Sequence, residues 1–565
     1  MTERVERVVL WFRSPAALAL AVYVAVSFVY FGRGVAAHPG RTVVGSINDP
    51  KLFIWMFAWW PHALVHGESP VVTHAIWAPS GYNLAWATSV PALALILSPI
   101  TVLAGPVVAF DLAAVLLPAL AAWTAFLLCR YLTGSVWAGL FGGYLFGFSS
   151  YILGHEEGHL NLVAVCLLPL MVLVIVRAFR LELPRRGLAL RLGVLLGVEI
   201  LLSTEVFVTL TIALILALVL ALLVVPATRA AIGPVAGSIV CAYVVGSVIA
   251  SPFLYYALSD FVSGQFTTPE VFVSDGANLV VPTGTNAFAG ASSARVAAHF
   301  PGNELEQTAY LGVPLVTLLV LFFLTRWRTA AARFLFLAFT AAMLLAFGRE
   351  LIVDGKSVVS LPWSWVDGLP LLDNVYPGRF TLFASLAVAV AGAVWCASPG
   401  RQRWLAIALP VLIVASLVPS IGGNRWKENL HVPAFIAEHI YARCFTKDES
   451  VLVLPYGYAG GSTLWQAQSG FAFRMPGGEV GDEAPPSFRI GIVDTLRFDG
   501  VPPGGGADVV AFARDKGVGA ILVDPTDAVD WSQVLDSAGL HGTQAGGMVV
   551  YDLSGQQPPG CGTSA

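Results

Sequence analysis

The string His155-Glu156-Glu157-Gly158-His159 has the residue types and spacing of a zinc-hydrolase signature. In that signature, two histidines one helical turn apart bind a metal ion beside a glutamate that acts as the base. A membrane zinc protease built on His155, Glu156 and His159 would also need a third ligand. The sequence offers only Asp367 or Asp373, in "WVDGLPLLDN", for that role. We therefore interpret the match to the zinc signature as accidental.

The same residues have a plainer interpretation as the start of a helix. Glu156 and Glu157 would lie in its first turn, where the helix dipole favours negative charge. His155 and His159 would share one face of that helix, with Asn161 further along. On this interpretation the cluster is an acidic, solvated cap with two interfacial histidines.

Asp49 is a second candidate, because it directly precedes the aromatic segment "PKLFIWMFAWWPHALVHGESP". A carboxylate at that position typically caps a helix. Residues 51–66 predict an amphipathic helix, and tryptophans prefer the headgroup layer of a bilayer. We therefore expect this helix to lie along the membrane interface. Its aromatic residues are Phe53, Trp55, Phe57, Trp59 and Trp60.

Three more carboxylates stand near the ends of apolar runs. Glu205, in "LLSTEVFVTL", falls between two runs, where a carboxylate is usually functional or paired. A tight helical hairpin exposed to water explains it equally well. Glu304 and Glu306, in "HFPGNELEQTAYLG", come just ahead of another apolar run. One of them could reach a site, and at least one is ordinary loop polarity.

The composition places these residues in a polytopic membrane protein. The chain has 565 residues, of which 57% are hydrophobic and 12% are charged. Soluble domains carry about 25% charged residues. The net charge is -4, and no basic run indicates a nucleic-acid partner.

Eleven apolar runs are long enough to cross a bilayer. Arginines in short loops mark the cytoplasmic side, including Arg401 and Arg403 late in the chain and Arg4, Arg7 and Arg13 before the first run. All of these loops can be cytoplasmic if the proline-containing stretch 88–104 makes no full crossing; twelve or thirteen crossings remain possible. The runs are 15–33, 107–129, 134–152, 161–178, 188–203, 206–225, 233–252, 309–325, 332–347, 380–397 and 404–420.

This topology brings the polar candidates to one face of the membrane. The segments 34–106, 155–159, 253–308 and 348–379 would all lie outside, and so would the chain from about residue 424. We therefore expect a site that faces away from the cytoplasm.

From about residue 424 the apolar runs shorten to strand length, at 450–457, 518–525 and 547–553. They alternate with helical stretches, which predicts one small extracytoplasmic α/β domain over 424–565. Cys444 and Cys561 bracket this domain in a compartment where disulfides form, and we expect them to pair.

The chain resembles the GT-C superfamily of membrane glycosyltransferases, in its uncharacterised bacterial branch. The resemblance covers about residues 15–420. It rests on the long first loop with Asp49 ahead of an aromatic helix, on "APSGYNLAW", "GHEEGHLN", "NELEQTAYLGVPLVTLL" and "NVYPGRFTLFASLAVAVAGA". It implies an all-α polytopic membrane domain over 1–423, with about 11 to 13 transmembrane helices and the first outer loop at 34–106. The adjacent acidic pair of some relatives is absent, since Asn48 precedes Asp49.

The resemblance implies transfer of a sugar from a polyprenyl-(pyro)phosphate donor to an envelope glycan, lipid or protein, in a bacterial cell membrane. Asp49 would be the general base, with Glu156 and Glu157 beside it. Arg379, and more weakly Arg349, would meet the donor phosphate, because a guanidinium matches phosphate oxygens; an interfacial snorkelling arginine is the alternative for Arg379. The residues expected to line the site or hold the acceptor are His155, His159, Asn161, Glu205, Glu304 and Glu306.

No cofactor is required by this interpretation, although the acids or histidines could hold a divalent cation opposite Asp49. A transporter or flippase of lipid-linked glycans is the alternative from another class. Such proteins usually show paired repeats of broken helices at mid-membrane, and we find no internal repeat in the sequence.

Overall fold

Long apolar helices make up most of the chain up to about residue 420. The structure is a computed structural model that describes residues 14–45, 49–259, 267–365, 367–369, 372–398, 404–422, 425–481, 484–555 and 560–562. Within these ranges, seven helices are long and apolar enough to cross a membrane. They are Pro15–Val35, Pro106–Thr133, Val136–His155, Leu160–Phe179, Thr204–Val224, Pro226–Ile249 and Pro377–Ala397.

Four further helices fall on the remaining predicted spans. Arg185–Leu202 carries several charged residues, while Gly312–Arg326, Ala330–Ala346 and Leu405–Ser416 are apolar but shorter. Each of the eleven predicted spans thus coincides with a helix in the described part of the chain. The stretch 88–104 forms two short helices, Pro91–Ile96 and Ser98–Ala104, and neither can cross a bilayer. Arg4, Arg7, Arg13, Asn48, Arg401 and Arg403 lie outside the described residues.

Small residues allow the central helices to approach closely. In Pro106–Thr133, Ala119, Ala121, Ala122 and Ala125 are completely buried. This helix packs against Pro15–Ser27 on one side and Val136–Gly147 on the other. Close van der Waals packing of small side chains is the usual basis of helix association within a bilayer.

The aromatic helix of the first loop runs from Asp49 to His66, and its position along the membrane interface remains a prediction. Its aromatic side chains are buried in protein. Trp55 donates a hydrogen bond from Nε1 to Gln466 Oε1 at 2.7 Å, and the Phe471 ring packs edge-on against Trp55 and Trp59. The sequence pattern could not reveal this, because the covering residues come from the C-terminal region more than 400 positions later.

A four-stranded sheet forms the core of the C-terminal region, as the alternating pattern predicts. Its strand order is Val451–Leu454, Ala520–Val523, Met548–Asp552, Thr543–Ala545. The first two strands are parallel and the others antiparallel. The larger helices beside it are Ser462–Gln468, Gly491–Arg497, Gly506–Asp515 and Trp531–Asp536. Cys444 and Cys561 form a disulfide, as predicted.

The C-terminal region is tied to the first loop by a short strand pair. Thr42–Val43 pairs antiparallel with Glu428–Asn429. The helix Asp49–His66 itself packs against Pro106–Thr133 of the helical bundle and against Ser462–Gln468 of the C-terminal region. The helix that begins at Asp49 therefore lies between the bundle and the C-terminal region.

Candidate functional site

Asp49 and the histidine cluster meet at one end of the helical bundle. Asp49 Oδ2 lies 3.1 Å from His159 Nε2, and 39% of the Asp49 side chain is exposed. The opposite ring nitrogen of His159, Nδ1, lies 3.2 Å from His155 Nδ1. The His155 ring is buried against Tyr151, with ring centroids 4.5 Å apart. Two segments about a hundred residues apart thus share one polar cluster.

The backbone around the histidines differs from that of a zinc protease. The helix Ser150–His155 begins at Ser149, whose side chain accepts a hydrogen bond from Ile152 N, and it ends at His155. The next helical turn starts only at Leu160. The two histidines are therefore not on one continuous helix, and neither oxygen of Glu156 has a hydrogen-bond partner in the described structure. This geometry agrees with an accidental match to the zinc signature.

Arg379 joins two of the predicted carboxylates in a buried ion-pair network. Its guanidinium makes paired contacts with Glu306, at 2.8 Å and 3.4 Å, and a further hydrogen bond with Glu205. The Tyr376 ring lies 4.3 Å from the guanidinium carbon. Burial alone would raise the pKa of Glu306, but the guanidinium, with weaker help from the histidines, lowers it to about 2. Glu306 is therefore a carboxylate at any physiological pH.

A glycine allows the histidine segment and the Glu306 segment to touch. A Cβ at Gly154 would lie 2.3 Å from the backbone oxygen of Leu305, which is far too close. Gly154 immediately precedes His155, and Leu305 immediately precedes Glu306. The absence of a side chain at this one position therefore sets the distance between the two groups.

Glu156 and Glu157 have opposite environments, although they are neighbours. Glu156 is buried, and burial raises the pKa of its carboxyl well above the ordinary value. Glu157 accepts a hydrogen bond from Arg425 Nε at 2.6 Å, and Arg425 also contacts Glu304 at 2.9 Å. Arg425 therefore connects the segment that leads into the C-terminal region to the loop of Glu157 and to the loop of Glu304.

Five of the predicted site residues lie outside the network that joins Asp49, the two histidines, Glu306, Glu205 and Arg379. Glu156 has no hydrogen-bond partner in the described structure, and Glu157 and Glu304 pair with Arg425; Arg349 and Asn161 are the other two. Arg349 pairs with Asp367 at 2.7 Å, and 60% of its side chain is exposed. Asn161 is buried in the short helix Leu160–Val163, one turn beyond His159.

The cluster contains a set of atoms that could hold a metal ion. One ligand atom each from His155, His159 and Glu306 lie within 4.8 Å of one another. The third donor is thus Glu306, not Asp367 or Asp373. The network contains three carboxylates, Asp49, Glu205 and Glu306, and one guanidinium, which leaves a formal excess of two negative charges when the histidines are not counted; Arg379 contacts Glu205 and Glu306, whereas Asp49 contacts His159. Such an excess favours a cation among oxygen and imidazole donors.

Three charged residues of this region were not selected from the sequence. Arg425 is one; the sequence feature that could have identified it is its position in the polar segment between the last apolar run and the first strand of the C-terminal region. Asp111 is another; it is buried in the helix Pro106–Thr133 and accepts a hydrogen bond from Val44 N at 2.9 Å. Glu199 is buried in Arg185–Leu202 with neither oxygen hydrogen-bonded in the described structure. A lone carboxylate within an apolar span is the signal that identifies the last two.

Several solved structures share this architecture. Archaeal oligosaccharyltransferase AglB from Archaeoglobus fulgidus, in complex with an inhibitory peptide and a dolichol-phosphate, has a TM-score of 0.52 at 11% identity, over 91% of this chain and 70% of that one. ArnT from Cupriavidus metallidurans, in the apo state, has a TM-score of 0.51 at 13% identity, over 96% and 99%. Arabinofuranosyltransferase AftD from Mycobacteria has a TM-score of 0.50 at 16% identity, over 94% of this chain and 41% of that one.

The fold is therefore that of the GT-C membrane glycosyltransferases, as the sequence resemblance implied. Residues 16–418 match the model of the family described as Domain of unknown function (DUF6311), and the chain belongs to that family. No curated protein sequence matches the chain significantly.

Proposed function

We propose that this protein is a glycosyltransferase that moves a sugar from a polyprenyl-(pyro)phosphate donor to a cell-envelope glycan, lipid or protein on the outer face of the membrane. The contact between Asp49 and His159, inside a GT-C fold, carries the proposal. It joins a partly exposed carboxylate to the buried network of His155, Glu306 and Arg379.

Asp49 is the general base of the proposed reaction. In a single displacement, the acceptor hydroxyl attacks the anomeric carbon and its proton passes to the Asp49 carboxylate. The bond from that carbon to the phosphate oxygen breaks, and the lipid phosphate leaves with the electron pair. His159 positions the carboxylate through the 3.1 Å contact. A positioned general base typically contributes a factor of about 10² to 10⁴ to the rate.

An apolar cavity beside the network supports a lipid-linked donor. Its volume is about 760 Å³, and it lies among the helices Leu167–Phe179, Arg185–Leu202, Thr204–Val224, Ala330–Ala346 and Thr381–Ala397. Phe380 lines it, directly after Arg379, while Arg180 and Thr228 also contribute. An isoprenoid chain in this cavity would end with its phosphate beside Arg379. AglB, which shares the fold, was solved with a dolichol-phosphate.

The charge of the network determines how a phosphate could bind there. Arg379 is already paired with two carboxylates, so a phosphate must either replace Glu205 at the guanidinium or bind together with a cation. We propose that a divalent cation bound by His155, His159 and Glu306 offsets the negative excess when the donor is present. Arg349, paired with Asp367, is the weaker candidate for the phosphate.

The cation is tested by metal analysis of the purified protein, independently of turnover. Protein dialysed against manganese or zinc and then desalted should retain about one ion per chain, and His159→Ala should retain none. Equal retention by both proteins would place the ion elsewhere and remove this part of the proposal.

The transfer itself is tested with purified protein in lipid nanodiscs and a polyprenyl-phosphate sugar. Asp49→Asn should reduce release of polyprenyl phosphate by about 10²- to 10⁴-fold, without loss of binding to the lipid carrier. Glu68→Gln is the matched control, because Glu68 is an exposed carboxylate just after the same helix. If Asp49→Asn and Glu68→Gln release the product at the same rate, Asp49 is not the base.

A further inference from the structure

A second cavity, which is polar, lies between the C-terminal sheet and the start of the first-loop helix. Its volume is about 220 Å³, which is the size of a single small polar ligand rather than of a lipid. The residues on its wall that the argument uses are Lys51, Glu428, Asn429, Trp465, Asp524 and Asp527. None of them belongs to the Asp49–Arg379 network.

The sheet side of this cavity has the position of a ligand site in an α/β fold. The strands Val451–Leu454 and Ala520–Val523 are parallel, and Asp524 and Pro455 follow their carboxyl ends directly. Ligands of α/β sheets bind outside the carboxyl ends of the strands. Asp524 is buried and held firmly: it accepts hydrogen bonds from Thr526 through Oδ1, and its Oδ2 lies 3.3 Å from His431 Nε2.

The opposite side of the cavity leads toward the candidate catalytic base. Lys51 is two residues after Asp49, in the same first turn of the helix Asp49–His66. Glu428 and Asn429 belong to the strand that pairs with Thr42–Val43 in the first loop. Burial lowers the pKa of the Lys51 ammonium, although the nearby Glu428 carboxylate partly offsets this. A ligand in the cavity would therefore touch the element that carries Asp49.

The lining selects the kind of ligand. Three carboxylates, Glu428, Asp524 and Asp527, line the cavity with one ammonium, Lys51, and the imidazole of His431, so the carboxylates outnumber the basic groups and disfavour phosphate and other anions. The nearly fully buried Trp465 borders these donors and acceptors and is fixed, because its Nε1 donates to the backbone oxygen of His431 at 2.9 Å. Carboxylates, an ammonium and an amide in one small cavity suit a neutral molecule with many hydroxyl groups.

We propose that this cavity binds one neutral saccharide unit of the acceptor glycan, adjacent to the unit whose hydroxyl reaches Asp49. The inference rests on the proposed function and adds the substrate class: the acceptor is a glycan of at least two units, and the C-terminal region holds it. A donor phosphate is disfavoured in the cavity by charge.

The test is saturation-transfer NMR on the full chain in nanodiscs, with methyl glycosides of glucose, galactose, mannose and N-acetylglucosamine and with glucose 6-phosphate as probes. At least one neutral glycoside should bind, and glucose 6-phosphate should bind more weakly. Asp524→Asn should raise the dissociation constant by about tenfold, as expected for loss of a charged hydrogen-bond partner. Asn429→Tyr, which fills the cavity from an exposed strand position, should abolish binding.

Asp515→Asn is the matched control, since Asp515 has a 68% exposed side chain on a helix of the same region. Thermal unfolding checks that each variant is folded, and the Asp49→Asn protein should still bind the glycoside. If no neutral glycoside binds, or if the Asn429→Tyr protein is folded and binds as well as the wild type, the inference is wrong. Release of polyprenyl phosphate, measured on the same samples, shows separately whether the proposed transfer stands.

Discussion

At the scale of single residues, the network around Arg379 makes a stability prediction with a defined pH dependence. Glu306→Gln removes the paired contact with the guanidinium and leaves only Glu205 to compensate a buried charge. Breaking a buried ion pair costs about 3–5 kcal/mol, and we expect a value near the lower end because Glu205 remains. Thermal unfolding followed by tryptophan fluorescence measures the loss.

The low pKa of Glu306 fixes the sign of the pH effect. Its folded pKa of about 2 is below the ordinary value of 4.5, so its stabilising contribution is complete above pH 4.5 and is lost as the pH falls toward 2. The difference between wild type and Glu306→Gln should therefore be constant from pH 8 to about pH 5 and shrink below that. If the difference in stability between the wild type and Glu306→Gln disappears between pH 8 and pH 6, Glu306 does not form the buried ion pair with Arg379.

Glu156→Gln is the matched control for this experiment. Burial raises the pKa of Glu156, so its carboxyl is protonated in the folded state over a range where the unfolded chain is ionised. As the pH rises above 4.5, Glu156 ionises in the unfolded wild type but not in the folded wild type, which lowers the stability of the wild type. The Glu156→Gln protein has no such group, so its stability relative to the wild type should increase as the pH rises. Relative to the wild type, the Glu306→Gln protein should lose stability as the pH rises and the Glu156→Gln protein should gain it. A general effect of substitution cannot produce both trends.

The sequence identified most residues of the cluster but not their pairing. Glu205, Glu306 and Arg379 were selected from their positions near the ends of apolar runs. Asp49 was selected from its place ahead of the aromatic helix, and His159 from the spacing of the histidine–glutamate string. Their contacts depend on how five loops converge in space, which the spacing of residues along one chain does not encode. The ion pairs of Arg379 with Glu205 and Glu306 could not be deduced from the sequence for that reason.

At the scale of elements, the contact at Gly154 predicts how the site is assembled. Gly154→Ala places a methyl group where only 2.3 Å separates its Cβ from the Leu305 oxygen, so the helix Ser150–His155 must move away from the Glu306 segment. We expect a loss of transfer activity and a lower unfolding temperature. A conservative substitution at a residue that carries no functional group should thus affect the site.

Gly237→Ala provides the control for backbone flexibility. Gly237 lies within the helix Arg229–Ile249, and a Cβ there would meet nothing within 4 Å. Replacing a helical glycine with alanine stabilises by roughly 0.5–1 kcal/mol. If Gly154→Ala behaved like Gly237→Ala, close approach of the two segments would not be important.

The elements themselves were predictable where a single periodicity decides them. The eleven apolar runs and the alternating C-terminal pattern predicted the helices and the sheet. The protein contacts of the aromatic helix were not predicted, because its tryptophans could be buried either by headgroups or by protein. Gln466 and Phe471, which cover them, carry no signal in the sequence that links them to the first loop.

At the scale of the whole molecule, the arrangement predicts which surfaces share a side of the membrane. With Cys241, an exposed free cysteine, replaced by serine, cysteines introduced at Glu68 and Lys447 should react with an impermeant maleimide in intact spheroplasts. A cysteine at Arg186, in an arginine-rich loop, should react only after lysis. As a control for access, all three cysteines should react after lysis. If the cysteine at Glu68 or at Lys447 does not react in intact spheroplasts, the predicted topology is wrong.

The domain division at residue 424 and the outward orientation remain predictions. The structure adds that the C-terminal region contacts the first loop through a strand pair and the Trp55 hydrogen bond. A site built between these parts depends on both, so neither part alone is expected to bind the acceptor.

The most direct measurement for the central claim is a cryo-EM structure of the full chain with a polyprenyl-phosphate analogue that cannot be cleaved. The account predicts that the phosphate lies between Asp49 and Arg379 and that the isoprenoid chain extends past Phe380 into the apolar cavity. A phosphate bound elsewhere, with the Asp49–His159 contact unchanged and no lipid in that cavity, would contradict it.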